Sequence, residues 1–158
     1  MSELDVPDPE SRLAGLGYAL PDSPPMAGLY VPATQAGDLV FSSGAIPMRD
    51  GRLTHMGHVG AEVSLEEAQA AARVAVVNAL ASIRTRVGSL RRVMQVIKLT
   101  GYVASAPGFS DQPAVMDAAS QLLIDAFDAI GQSARTAVGV AELPFGVPVE
   151  VDLVVLLR

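Results

Sequence analysis

Val147-Pro-Val-Glu-Val-Asp-Leu-Val-Val-Leu-Leu157 alternates apolar and acidic residues along its first half, the period of two that a strand shows when one face is buried. Val149, Val151, Leu153, Val155 and Leu157 line one face. Glu150 and Asp152 open the other, and Val154 and Leu156 turn its distal half apolar too. A strand apolar on both faces needs two covers. Helices of the same chain can supply one of them, and a second subunit is the natural candidate for the other.

Two amphipathic segments provide those helices. Ser64-Leu-Glu-Glu67 is a capping box, in which the Ser64 hydroxyl can accept from the Glu67 N–H while Glu67 reaches back to the Ser64 N–H. From there Leu65, Ala68, Ala72, Val76, Ala79, Leu80, Ile83 and Val87 recur at spacings of three and four, and Gly88 is the stop. The spacing predicts a helix over 64–87, about six turns long. A second helix is predicted over 113–130, with Val115, Ala119, Leu122, Leu123, Ala126, Phe127 and Ile130 as its apolar stripe and Gly131 at its end.

Strands are predicted over 29–34 and 39–43, joined by the turn Gln35-Ala-Gly-Asp38, over 93–105, where Ala106-Pro107-Gly108 breaks the run, and over 135–141 and 147–157. Residues 46–60 read as a polar connection containing the turn signal Asp50-Gly51. Residues 1–26, rich in Pro and acid, read as an N-terminal extension packed on a domain spanning 27–158. Its one short helix, over 9–16, places Leu13 and Leu16 on a shared face. These elements predict one α+β domain, a mixed sheet with two helices on one face.

Composition narrows the function classes. Half the residues are apolar and 18% are charged, against roughly a quarter charged in ordinary soluble chains. The excess apolar surface points to subunit contacts, because no run approaches the ~18 consecutive apolar residues of a membrane span. A net charge of −6 with only 11 Lys plus Arg argues against broad phosphate-backbone binding and so against a nucleic-acid partner. The cluster Arg91, Arg92 and Lys98 reads as a solvated turn leading into a strand. Cysteine is absent, which excludes disulfides, thiolate nucleophiles and Cys metal sites. The opening Met-Ser-Glu-Leu-Asp lacks the basic and apolar regions of a secretory signal. A cytoplasmic location is expected.

Arg135 opens a strand otherwise made of Thr, Ala, Val and Gly. A guanidinium there is costly to desolvate unless an anion meets it, and its planar fork matches a carboxylate. Two readings stay open: a ligand-binding arginine, and a rim arginine in an ordinary salt bridge. Glu150 and Asp152 share one strand face and are candidates for proton transfer if burial raises a pKa, or else form an exposed edge of the sheet. If Glu150 lay across the sheet from Arg135, the pair would place a proton-transfer group beside a carboxylate anchor. His55 and His58 lie in a Gly-rich connection with no third ligand at a recognised spacing, and read as loop decoration rather than a metal site. Met48 and Met56 read as gap fillers. No Walker, dinucleotide-binding or nucleophile-elbow motif is present.

The segments Tyr30-Val-Pro, Val40-Phe-Ser-Ser-Gly-Ala-Ile-Pro47, Lys98-Leu-Thr-Gly-Tyr-Val103, Ala134-Arg-Thr-Ala-Val-Gly-Val-Ala-Glu-Leu-Pro144 and Val149-Glu-Val151 together resemble the Rid/YjgF family of reactive intermediate deaminases, also labelled L-PSP endoribonucleases. The resemblance spans roughly residues 28–157, and the extended N-terminus resembles the family's longer-chain branch. It implies a chorismate-mutase-like α+β fold, a homotrimer with a site in each intersubunit cleft, and cofactor-free, metal-free hydrolysis of enamines and imines to 2-keto acids and ammonia. Arg135 then matches the carboxylate-binding arginine and Glu150 the acid that positions or activates water, while Tyr30, Ser43 and Gly44 match the cleft lining. Asp117 falls near a site asparagine of many members, and Ala137 stands where many carry Cys. An acid at 117 would repel a substrate carboxylate. A trimeric protein that binds a small carboxylate without turning it over is the alternative implied by the same cleft.

Overall fold

A computed structural model of the protein describes residues 8–22 and 28–158. Its first element is helix α1 (Pro9–Gly15), started by Asp8, whose side chain accepts from the Glu10 N–H, and by Pro9, which has no N–H to leave unsatisfied. Leu13 is fully buried in the core. Leu16, expected on the same face, is 51% exposed because the helix has already ended and Leu16 is its C-cap. Glu10 fastens α1 to the rest of the molecule: one carboxylate oxygen accepts from the Leu90 N–H at 3.1 Å and the other meets Arg84 at 3.4 Å.

Strands β1 (Ala33–Ala36) and β2 (Leu39–Ser42) form the expected hairpin. The apolar run before β1 is not strand: Leu29, Tyr30 and Val31 are exposed, and the strand starts only after Pro32, which has no N–H to donate to a ladder. The connection at 46–60 holds an unexpected small hairpin, β3 (Met48–Arg49) with β4 (Arg52–Leu53). Asp50 and Gly51 turn it with φ of 52° and 73°, the paired positive values of a type I′ turn.

Helix α2 (Leu65–Val87) opens on the capping box, formed in both directions at 3.1 and 2.8 Å, and closes at Gly88 with φ of 87°. Buried Asn78 on α2 donates to the carbonyls of Ile46 and Met48, which anchors the connection to the helix. Strand β5 (Val93–Ala104) follows, then helix α3 (Gln112–Phe127), strand β6 (Ala134–Val140) and strand β7 (Val149–Leu157). The second helix ends three residues before its predicted limit. At Asp128 the backbone turns to φ 56°, and Asp128–Gly131 continues as a 3-10 turn.

The main sheet runs β1-β2-β7-β5-β6, antiparallel throughout except for the parallel pair β5 and β6. It is therefore mixed, with β7 at its centre. Helices α2 and α3 cover one face, and the inward residues of β7, Val149 to Leu157 in steps of two, are at most 3% exposed. The alternate residues of β7 remain half-exposed on the uncovered face. There Phe41 and Val138 join Val154 and Leu156. Two register shifts in β5 leave Met94 and Ile97 outside the ladder, and both are exposed. Among the described residues no helix is long and apolar enough to cross a membrane.

Candidate functional site

Glu150 pairs with Tyr102 in the β7–β5 ladder and lies on the uncovered face. Its strand is central in the sheet, and Glu150 and Asp152 are both half-exposed on that face. The β2–β7 ladder ends at Phe41 opposite Val154 and resumes at the isolated bridge between Ala45 and Val151. In the gap the Ser42 hydroxyl takes the place of a backbone carbonyl and accepts the Leu153 N–H at 2.9 Å. The chain rises there, and Gly44 settles on the Glu150 side chain so closely that a Cβ at 44 would overlap the carboxylate. Ser43 is tied to the segment carrying Tyr30: its N–H donates to the Pro32 carbonyl at 2.8 Å, and its hydroxyl to that of Val31 at 2.6 Å.

Partial burial raises the pKa of Glu150, and the charge of Asp152 on the same face adds to the shift. Asp152 is held by Tyr102, whose hydroxyl donates to it at 3.0 Å. Burial, followed by the bond to Asp152, raises the phenol's own pKa. Both effects favour the protonated carboxyl of Glu150 relative to an exposed glutamate.

Arg135 belongs to a second cluster. It sits on the edge strand β6, paired with Leu99, and so points to the helix-covered side. Its Nη1 meets Asp117 Oδ1 at 2.8 Å and donates to Ser120 Oγ at 3.1 Å. Asp117 and Ser120 are three apart on α3, hence on one helix face. Both contacts use the same nitrogen, so among the described residues Nη2 and Nε have no hydrogen-bond partner.

The two clusters do not meet within one chain. Leu99 and Tyr102 are the β5 partners of Arg135 and Glu150, and residues an odd number apart in a strand point to opposite faces. The juxtaposition of Arg135 and Glu150 across the sheet is thus corrected: Gly44, Ser43 and Glu150 gather on one face, Arg135 and Asp117 on the other. Sequence reasoning missed Ser120 and the Tyr102–Asp152 bond. The alternation of Thr100 and Tyr102 was readable, but which residue of β7 each would face was not.

His58 joins the 46–60 connection to the loop after β6, with its Nε2 2.9 Å from the Ala141 carbonyl and 3.2 Å from Glu142. The bond to the Ala141 carbonyl raises its pKa, and Glu142 and Glu62 add to the rise. Among the described residues no group of three His, Asp or Glu could hold a metal ion.

The family described as "YjgF/chorismate_mutase-like, putative endoribonuclease" matches residues 10–155. The chain belongs to the YjgF/chorismate-mutase-like family. It is 38% identical over 146 residues to Protein TCP17 of Trypanosoma cruzi, covering 92% of this chain and 91% of that one. It is similar to the crystal structure of protein Atu1372, of unknown function, from Agrobacterium tumefaciens, with a TM-score of 0.89 and 40% identity over 95% of this chain and 92% of that one. The YjgF gene product of E. coli superposes with a TM-score of 0.65 at 22% identity, over 87% of this chain and 94% of that one. That likeness shows the shared YjgF fold.

Proposed function

We propose that this YjgF-family protein hydrolyses reactive enamines and imines to 2-keto acids and ammonia, in clefts between the subunits of a homotrimer. The observation that carries the reading is Glu150: a half-buried carboxyl of raised pKa, pressed against Gly44 on a sheet face with no helix over it. Subunit packing supplies the cover that this partly apolar face lacks, where Phe41 and Val138 are exposed beside half-exposed Val154 and Leu156. It also offers a way to unite the two clusters, with Arg135 of one subunit facing Glu150 of the partner subunit.

In this mechanism Arg135 holds the substrate carboxylate through Nη2 and Nε. The Glu150 carboxyl gives its proton to the enamine carbon, giving the electrophilic iminium. Glu150, as the carboxylate, then accepts a proton from water as the oxygen adds to the imine carbon. The carbinolamine collapses with loss of ammonia, and the 2-keto acid leaves. Positioning of water and carboxylate does much of the work.

The alternative for the same cleft is a non-catalytic trimer that holds a small carboxylate, and in both readings Asp117 competes for Nη1 of Arg135. A paired measurement separates the two readings, using affinity for pyruvate by calorimetry and decay of 2-aminoacrylate in a coupled assay. Arg135→Ala is expected to lose about one to two decades of affinity, as for loss of a charge-assisted contact. Glu150→Gln is expected to keep binding and lose about 10²-fold or more in turnover. An Arg135→Ala protein that binds and turns over like wild type refutes the site. If wild type and Glu150→Gln are equally inert while binding depends on Arg135, the binding protein is the better account. Light scattering at about three times the 16.4 kDa chain mass tests the trimer.

A further inference from the structure

The chain carries 17 acidic side chains against 11 basic ones, yet Arg12, Arg91, Arg92 and Arg158 all border one cavity of about 490 Å³ between α1, the end of α3 and the start of β5. Its floor is apolar, made of Leu90, Val93, Ala126, Phe127 and Ile130. That volume falls within the roughly 300–1,000 Å³ of small-molecule sites, which are mostly apolar with a few placed polar groups.

The four arginines are not equally occupied. Arg12 pairs with Asp128 at 2.6 Å, and Asp128 holds φ 56° and ψ −140°, a backbone region strained for any residue but glycine. Arg91 Nε faces Asp8 at 3.6 Å. Arg92 donates only to the Val87 carbonyl, and the Arg158 N–H donates to the Arg92 carbonyl, which keeps the two residues together. Among the described residues no side-chain carboxylate lies within ion-pair distance of Arg92 or Arg158. Two guanidiniums without a side-chain counter-charge beside an apolar floor suit a ligand with an apolar body and an anionic head, which the planar fork of arginine meets with two parallel bonds.

We propose that this cavity binds a small amphipathic carboxylate, its apolar body on Leu90, Phe127 and Ile130 and its head on Arg92 and Arg158. The site is distinct from the Arg135 cluster. Asp117 and Phe127 are ten residues apart on α3, about 15 Å along the helix axis. A concave apolar floor favours a small molecule over an RNA backbone, which needs a continuous cationic track.

The test titrates 4-phenylbutyrate into the full chain, followed by calorimetry and by methyl NMR, with uncharged 4-phenylbutanol as the matched control. Binding is expected to shift the methyls of Leu90, Val93, Ala126 and Ile130. It should weaken about tenfold or more in the doubly substituted Arg92→Ser, Arg158→Ser protein and by a similar factor for the alcohol, and stay unchanged in Arg135→Ala. Both substituted arginines are exposed, so the fold is retained. The proposal is overturned if these methyls do not shift, if the alcohol or the double variant binds like the reference pair, or if Arg135→Ala abolishes binding. It is equally overturned if a single-stranded RNA oligonucleotide engages these arginines at physiological salt and displaces phenylbutyrate. The readout is binding at the α1–α3 cavity, whereas the enamine and imine reading is tested by turnover at Arg135 and Glu150, so each can fail alone.

Discussion

Gly44→Ala tests whether the placement of Glu150 matters to chemistry. Gly44 has no positive φ that would bar a side chain, so the backbone accepts alanine and the whole perturbation is steric. The new Cβ would overlap the Glu150 carboxylate and crowd its Cγ. Glu150 is half-exposed and can swing outward, so the carboxylate moves by about an ångström while the fold survives. A displacement of that size in a reacting group costs about 10²-fold in rate, or about 2.7 kcal/mol of transition-state stabilisation. Stability should barely change, because the loss of contacts is offset by about 0.4–1 kcal/mol from restricting the unfolded chain. The assay is imine hydrolysis by Gly44→Ala, Glu150→Gln and the double variant, with a thermal melt for each. In the Glu150→Gln background, Gly44→Ala should cost little more, since the group it displaces is already disabled. A Gly44→Ala enzyme of normal rate, or a full second 10²-fold loss in the double variant, refutes the placement. Titration of Glu150 by NMR gives a reading independent of turnover: moved toward solvent, its carboxyl should fall back toward the ordinary glutamate range.

Three further outcomes are expected. Burial and Asp152 raise the Glu150 pKa, so its contribution to stability is fully present below the ordinary glutamate pKa and is lost as pH rises through the raised value. Chemical denaturation across that window should show Glu150→Gln gaining on wild type as pH increases, and a pH-independent difference would count against the shift. Gly101 on β5 is filled from the helix side by the Met116 thioether, so Gly101→Ala should overpack the core by about 1–3 kcal/mol and lower the Tm by several degrees. Finally, Asp117→Asn removes the acid from Arg135 and should tighten pyruvate binding by up to about fivefold, the worth of a partly exposed ion pair. Calorimetry that shows equal or weaker binding would mean Asp117 does not compete with the ligand.

Local chemistry settled the elements. The capping box at Ser64, the stop at Gly88 and the period of two in 147–157 each depend on neighbours in sequence, and each was met in the structure. The exact limits of elements were less legible. Leu16 was placed on the α1 face but fell beyond the helix end, the run at 29–31 stayed outside the sheet, and the Met48–Arg49 strand formed where a polar connection was expected. The residue types of the site were legible because an arginine and two carboxylates interrupting apolar strands are costly without a partner. Their arrangement was not. Strand order and register decided that Glu150 would meet Gly44 and that Arg135 would meet Asp117 on the opposite side. A register shift of one residue turns every side chain to the other face. Neighbours along the chain dictate which residues alternate; which face each alternation presents, and to whom, is set only when strands far apart in the chain pair.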